Sequence, residues 1–587
     1  MKLTRIQPVT AMRTRFLSLI GLSAALFVGQ APRAGAQRVH GSIRDSASAA
    51  PLAGAVVSLL DSAGGALSRT IADGNGNYSL PLARRGARLR AIRIGYQPRD
   101  VSVASTGADV TLSLSLTRIP PVLGPVRVSD KELCPGSSDR GAAFQLWEQA
   151  RAGLLATVVA REATPAQATT LVFERGFAPN DATVHRQRTS QHEGRTTKAF
   201  VAAAAPVAFA RRGYVTEDPD GGRTYAAPDE DVLLDESFAA THCFHLQAAD
   251  DTHRDQVGLA FTPVRGGGRD TLVDVSGVIW IDRAAPALRT LDFRYTGLEP
   301  AAERAETGGH MEFRAMSNGV AFIEYWSLRL PLMQQFQLGN TAAQRTAPRV
   351  SPHRRDRFDL RVSEIVETGG QVLGAVWDDG TRWAAPSTGI QGTVTQRGTG
   401  APVPHAVVRL QGTTDSTTAS VTGAYMLAPL VAGRYILEVS DTALQAWIAP
   451  RTSSATVDAP RGRIVTSRVE LPTRATVVSE ICKTQQRRPA VGTTIVGVVE
   501  PTTAGPMRNA RVNASWAEHV GFGSATMSVQ IQTRDQTSDV DANGRFMLCG
   551  VPVEQAIRLR FQQGDRTADT TVVLRDTISA SVRWRIP

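Results

Sequence analysis

The sequence predicts a mainly β, multidomain chain: three small β-sandwiches and a central α+β region with one long helix and a curved antiparallel sheet. Three observations predict it. The 587 residues exceed what a single hydrophobic core holds. A set of short motifs recurs three times in the same order. Between its first and second occurrences lies a stretch of helical period, followed by a long series of strand-like runs.

The recurring set has three parts. Each unit opens on a short run around a glycine: His40-Gly41-Ser42-Ile43, Gln391-Gly392-Thr393-Val394 and Val496-Gly497-Val498-Val499. Next come "PLAGAVVSL" (51–59), "PVPHAVVRL" (402–410) and "PMRNARVNA" (506–514), which share Pro-x-x-x-Ala-x-Val. Alternating apolar and polar residues there read as a half-buried strand. The third part is "DGNGNYSL" (73–80), "VTGAYML" (421–427) and "DANGRFML" (541–548). Its Asp-x-Asn-Gly start is turn chemistry: Asp and Asn bond nearby backbone, and Gly takes positive φ. The aromatic residue and the Leu two positions later then share one face of the next strand. Asp73-x-Asn75-x-Asn77 also resembles the start of a calcium loop. An EF-hand loop needs Glu at its twelfth position, which here is Arg84, so a turn is the expected reading.

On Gly-x-Val, Pro-x-x-x-Ala-x-Val and Asp-x-Asn-Gly-x-Tyr, the three units resemble the carboxypeptidase regulatory-like domain, a transthyretin-like β-sandwich related to carbohydrate-binding-like folds. The resemblance covers about residues 38–118, 388–472 and 493–587. The middle copy departs from the pattern by lacking an acidic turn residue, the last by a longer excursion between Pro506 and Phe546 and by its cysteine. The resemblance implies an accessory module of exported or surface proteins and no chemistry of its own.

The expected organisation is a signal peptide (1–36), sandwich 1 (37–118), a Pro-broken linker (119–138), a central domain (139–385), sandwich 2 (388–472) and sandwich 3 (480–587). Lys2, Arg5, Arg13 and Arg15 precede the apolar run Phe16–Val28, and Ala34-Gly35-Ala36 suits cleavage before Gln37. The run is short for a bilayer span. Removing residues 1–36 takes away five basic and no acidic side chains, lowering the formal charge from +11 to +6. The remaining basic residues are scattered, so no nucleic-acid footprint is expected. No later segment is apolar enough to cross a membrane as a helix.

In the central region, 139–161 reads as an amphipathic helix, with Trp147, Ala150, Leu154 and Val158 on one face and Asp139 as its cap. It is the single clear helix of the chain. "GVIWID…LRTLDFRY" reads as a hairpin about Ala-Ala-Pro. The region resembles the half-barrel of lipoprotein carriers, and also the middle regions of exported bacterial proteins that carry a regulatory-like domain in front. A large membrane barrel is excluded because too few long alternating strands are expected after residue 130.

Four cysteines, Cys134, Cys243, Cys482 and Cys549, suggest two cystines in an exported chain. Three pairings are possible, and pairing within regions selects Cys134–Cys243 and Cys482–Cys549. A zinc site would lack any Cys-x-x-Cys spacing.

Catalytic motifs are absent: there is no His-x-x-Glu, His-Glu-x-x-His, Gly-x-Ser-x-Gly or Walker loop. His242, His245 and His253 are the candidates for a metal site, although a spacing of three puts His242 and His245 on opposite faces of a strand. Glu217, Asp218 and Asp220, and Asp229, Glu230, Asp231, Asp235 and Glu236, could pair carboxylates for glycoside hydrolysis but read as solvated loops. Among Trp377, Trp383, Trp447 and Trp516, Trp516 is the candidate sugar platform, because it falls in the long excursion of the last unit. The expected function is binding or scaffolding at the bacterial cell envelope (periplasm, outer-membrane surface or outside the cell), with polysaccharide or an envelope protein as partner and no cofactor. The alternatives are a hydrolase centred on the His242–His253 segment or the acidic loops, and a periplasmic carrier of an apolar ligand held between helix 139–161 and the sheet.

Overall fold

The computed structural model describes residues 37–82, 88–104, 109–119, 134–135, 141–195, 204–217, 219, 222–266, 268–337, 358–448, 452–485, 492–501, 507–522, 529–575 and 579–586. The signal segment 1–36, most of the linker 119–138 and the proposed cap Asp139 lie outside them.

The three units share one topology. In each, the opening strand (Arg38–Asp45, Gly389–Gln396, Thr493–Pro501) lies between an antiparallel and a parallel partner. The antiparallel partner is the strand after the turn motif: Asn77–Pro81, Ala424–Leu427 or Arg545–Val551. The parallel partner closes the unit: Leu114–Leu116, Ile464–Leu471 or Ser579–Ile586. A second sheet of four strands completes each sandwich, with the Pro-x-x-x-Ala-x-Val strand in an inner position.

The motif residues are there for steric reasons. A Cβ on Gly41 would lie 2.0 Å from the Leu112 carbonyl oxygen, and one on Gly392 1.7 Å from that of Ser467. The same two carbonyls accept the hydroxyls of Tyr78 (2.5 Å) and Tyr425 (2.7 Å). Burial raises the Tyr78 hydroxyl to about 12. In the third unit Phe546 replaces the tyrosine, and its ring fills the space in front of Gly497.

The turns are backbone devices. Asp73 Oδ1 accepts from the amides of Asn75 and Asn77 at 2.9 and 2.8 Å. Asp541 does the same with Asn543 and Arg545, both at 2.9 Å. In the middle unit the hydroxyl of Ser420 takes over, at 3.2 Å from the amides of Thr422 and Ala424. The acidic residue missing from that copy is therefore replaced by a weaker acceptor at the same place.

The central region is a ten-stranded sheet. Its order is Val184–Arg195, Gln167–Phe177, Phe358–Val376, Ala321–Gln337, Gly308–Ala315, Leu288–Thr296, Asp274–Asp282, Gln256–Pro263, His242–Gln247, with Arg382–Ala384 added to Phe358–Val376. The expected hairpin is present, Asp274–Asp282 pairing with Leu288–Thr296. Several strands exceed ten residues, so the argument that the chain lacks long alternating strands fails; they form an open meander rather than a closed ring.

The long helix runs Ala142–Ala163, begins after Gly141 with no side-chain cap, and lays Leu146, Trp147, Ala150 and Leu154 on the sheet. It is not the only substantial helix: Arg474–Gln485 has 12 residues. The sequence assigns no element to 473–479 and places 480–485 in the third sandwich, because the apolar face of this helix is short and buries Val477 and Val478 only against the neighbouring units. The acidic run also differs from expectation. Asp229 and Asp235 cap two short helices, Glu230–Leu234 and Glu236–Ala239, by accepting from the amides of Val232 (2.9 Å) and Ser237 (2.8 Å).

The units are joined by buried apolar contacts. Val56–Leu60 is buried along its whole length. Val57 and Leu59 face the first sandwich core, while Val56 joins Val159, Ala160, Val372 and Trp377 of the central region. The second sandwich packs on the opposite face of the sheet, through Phe177, Val184 and Ile365. The structure pairs Cys134 with Cys243 and Cys482 with Cys549. These close loops of 109 and 67 residues, each worth about 4 to 5 kcal/mol in the chain-entropy account.

Two predictions follow from these local devices. Gly423 has φ 75°, and a Cβ there would lie 2.4 Å from the Val394 carbonyl oxygen. Gly423→Ala is therefore expected to lose more than about 1 kcal/mol in urea unfolding. The Asp45 carboxyl is held down at about 2 by the amides of Ser48 and Ala47 and by the Tyr96 hydroxyl. A carboxyl depressed in the folded state stabilises above its unfolded pKa and loses that contribution as pH falls. Wild type should thus melt above Asp45→Asn at pH 7, with the gap closing between about pH 4 and pH 2.

Candidate functional site

Two concave regions flank the central sheet. The first lies on the helix side. The long helix packs on Ala321–Gln337, Leu288–Thr296, Gln256–Pro263 and His242–Gln247. The sheet continues beyond it through Phe358–Val376, Gln167–Phe177 and Val184–Arg195. A cavity of about 310 Å³ lies at that step, at the low end for a ligand site. Val172, Ile323, Trp326, Val372 and Trp377 line its apolar part. Gly370 lets Trp326 lie on the sheet, since a Cβ there would be 2.1 Å from the indole. One wall carries an ion pair, Arg161 Nη1 to Glu230 Oε1 at 3.2 Å.

The second region is a groove on the opposite face. A chain of polar groups crosses it. His253 Nδ1 lies 2.8 Å from Asp250, and its ring stacks on Trp280 at 4.0 Å. His310 sits between Asp292 (2.6 Å) and Glu312 (2.9 Å). Glu312 also pairs with Arg461 of the second sandwich, whose guanidinium covers Tyr325. Both ring nitrogens of His310 are engaged by carboxylates, so neither is open to activate a hydroxyl.

The three candidate histidines do not converge as a set. His242 is 1% exposed, and its ring nitrogens face the carbonyls of Phe238 and Val275, each at 3.1 Å. His245 and His253 line the groove on the other face. Among the described residues, no group of three or more His, Cys, Asp or Glu side chains is placed to hold a metal ion. Glu217 pairs with Arg223 at 3.2 Å, and Asp218 and Asp220 lie outside the described residues.

The tryptophans are mostly structural. Trp377 is 5% exposed within the core shared with the first sandwich. Trp383 meets Phe322 edge-on at 5.2 Å. Trp447 lies under Arg583 and Arg474, at 5.1 and 5.8 Å, where the last two units meet. Trp516 is half-buried and shares the core face of its strand with Val512 and Ala514. Sequence reasoning passed over Arg161 and placed Glu230 in a solvated acidic loop; the two lie 69 positions apart. Only the packing of the short helix on the long one joins them.

Residues 38–117 and 389–470 match the family model of the carboxypeptidase regulatory-like domain. These two segments are carboxypeptidase regulatory-like domains. The third unit has their strand order but lies outside the match. No curated protein matches the chain. Among solved structures, a streptococcal ancillary pilin aligns at 11% identity and TM-score 0.15, over 39% of this chain and 81% of that one. The major pilin of Bacillus cereus aligns at 11% and 0.12, over 74% and 98%. A putative carbohydrate binding protein of Bacteroides uniformis aligns at 11% and 0.12, over 32% and 99%. At such TM-scores these likenesses carry no argument about function.

The regulatory-like domain at 389–470 is docked through a buried arginine. Arg175 donates to the Ala432 carbonyl at 2.6 Å and pairs with Glu367 at 3.0 Å, between the rings of Phe173 and Phe177. Glu367→Ala would leave this cation buried without its partner. The variant is expected to lose about 3 kcal/mol in urea unfolding, whereas Glu174→Ala, at an exposed pair with Arg186, should change stability by less than about 1 kcal/mol.

Proposed function

We propose that this chain is an exported, non-catalytic binding and scaffolding protein of the bacterial envelope, acting on a polysaccharide or on another envelope protein. One observation carries the reading. Its regulatory-like domains are not strung on free linkers but are packed into the central sheet through shared apolar cores, which makes a stiff body. The two cystines support an oxidising compartment. The histidine–carboxylate pairs of the groove are closed on one another, which favours binding over catalysis. The third sandwich belongs to the same reading as a further module of this kind.

The test runs the purified protein in two arms. One is co-sedimentation with cell-wall and surface polysaccharides, beside Trp516→Ala. The other is cross-linking on intact cells. Saturable sedimentation or one dominant cross-linked envelope partner is expected. Loss of sedimentation in a variant that keeps the wild-type melting temperature would assign the glycan to the last sandwich. Capture in neither arm would overturn the reading.

A second reading, a carrier of an apolar ligand, is favoured by the cavity beside the long helix.

A further inference from the structure

The first sandwich and the long helix do not meet along their whole length, and the gap between them collects cations. Val56, Ile71 and Ile92 pack with Val159 and Ala160 near the end of the helix. Two residues after Val56, Ser58 pairs with Arg69 on one side and Arg90 on the other. Side chains alternate along a strand, so this row faces the helix, as Val56 does, while Val57 and Leu59 turn into the sandwich core. A cavity of about 520 Å³ lies there, and Arg93, just after the strand Arg88–Ile92, lines it with them. The cations outnumber their partners. Arg88 and Arg90 share one carboxylate, Asp100, at 3.5 and 3.6 Å. Among the described residues Arg69 and Arg93 make no ion pair, and Arg93 lies over the Tyr96 ring at 5.4 Å. Burial pulls the Arg93 guanidinium below its ordinary value, with Arg118 adding to the effect and Tyr96 and Asp45 opposing it. The helix wall carries carboxylates of its own, but Glu148 is spent on Arg151 at 3.4 Å and Asp235 on the Ser237 amide at 2.8 Å, while Asp231 stands in the first turn of its short helix. A cation taken out of water without a counter-charge is costly, and guanidiniums on both sides of a serine hydroxyl form a forked donor set for an oxyanion. Leu155 and Val158 make the flank of the cavity apolar.

We propose that the cleft between the first sandwich and the long helix binds a small organic phosphate monoester, its phosphate on Arg69, Arg90, Arg93 and Ser58 and its body against Leu155 and Val158. This goes beyond the scaffold and carrier readings and rests on neither. Two arginines without an ion pair and a third that shares its carboxylate call for more than one negative charge, which a phosphate monoester carries at neutral pH and a carboxylate does not. The cavity is larger than a bare ion fills, so the body of the ligand adds to the affinity.

The experiment is calorimetric titration of the purified protein with phenyl phosphate, inorganic phosphate and benzoate at one fixed ionic strength. Phenyl phosphate should bind at least about tenfold tighter than either of the others. Arg93→Gln should weaken phenyl phosphate at least about tenfold. Phenylglyoxal, which modifies accessible guanidiniums, needs no variant: phenyl phosphate should protect Arg69 and Arg90 of the wild-type protein from it and leave Arg409, exposed on the second sandwich, unprotected. Absence of binding, equal affinity for phenyl phosphate and for inorganic phosphate or benzoate, full affinity in Arg93→Gln, or no protection of Arg69 and Arg90 would each overturn the proposal. None of these outcomes alters capture of a polysaccharide or envelope protein, so the two readings fail separately.

Discussion

A large sheet with apolar side chains on both faces must be covered on both, and the rest of this molecule is arranged around that requirement. On one face the long helix buries Leu259, Ile279, Leu291 and Met311. The first sandwich then closes over the last turns of the helix, which is why Val56–Leu60 has no exposed residue. On the other face the second sandwich covers Phe177 and Ile365 and captures Arg175. The helix is narrower than the sheet, and the cavity lies where its cover runs out. The groove lies where the second sandwich runs out. Both concave regions are consequences of incomplete cover, which is how many ligand sites arise.

The repeated unit shows how a short motif can hold a fold with little sequence. The opening glycine permits a strand to approach a carbonyl that a Cβ would block. In two units that carbonyl also receives the tyrosine hydroxyl, so the glycine and the tyrosine serve one contact. Where Phe546 replaces the tyrosine, the bond is lost but the ring still fills the same space. The turn residue varies in the same manner, from Asp73 and Asp541 to Ser420, with the two backbone amides always satisfied. The apparent calcium loop at Asp73 is one instance of this turn, its carboxylate spent on the chain's own amides.

The last two units are coupled by polar as well as apolar contacts. Arg545 reaches out of the third turn to the carbonyls of Gln445 and Ile448 in the second unit. Cys482–Cys549 fastens the helix between them to the third sandwich. Trp447 lies under arginines from both sides. The helix 474–485 is thereby made part of the folded body.

The sequence by itself determined the β-sandwich units, the turn chemistry and the long helix, while the order of strands within each sheet came from the structure. These depend on near neighbours in the chain: glycines where a Cβ cannot fit, alternation that fits one buried face, an aromatic residue beside its turn. Local pattern also placed His242 and His245 on opposite faces of a strand. It failed for the helix 474–485 and for the caps at Asp229 and Asp235, where short polar stretches are ordered by what they pack against. Tertiary structure alone decided the coverage of the central sheet, the burial of Arg175 beside Glu367 and the meeting of Arg161 with Glu230. Those pairs are 192 and 69 residues apart, and a charged residue far from its partner reads in sequence as a solvated one. Burial is what turns it into a site, and burial is set by the other elements that close around it.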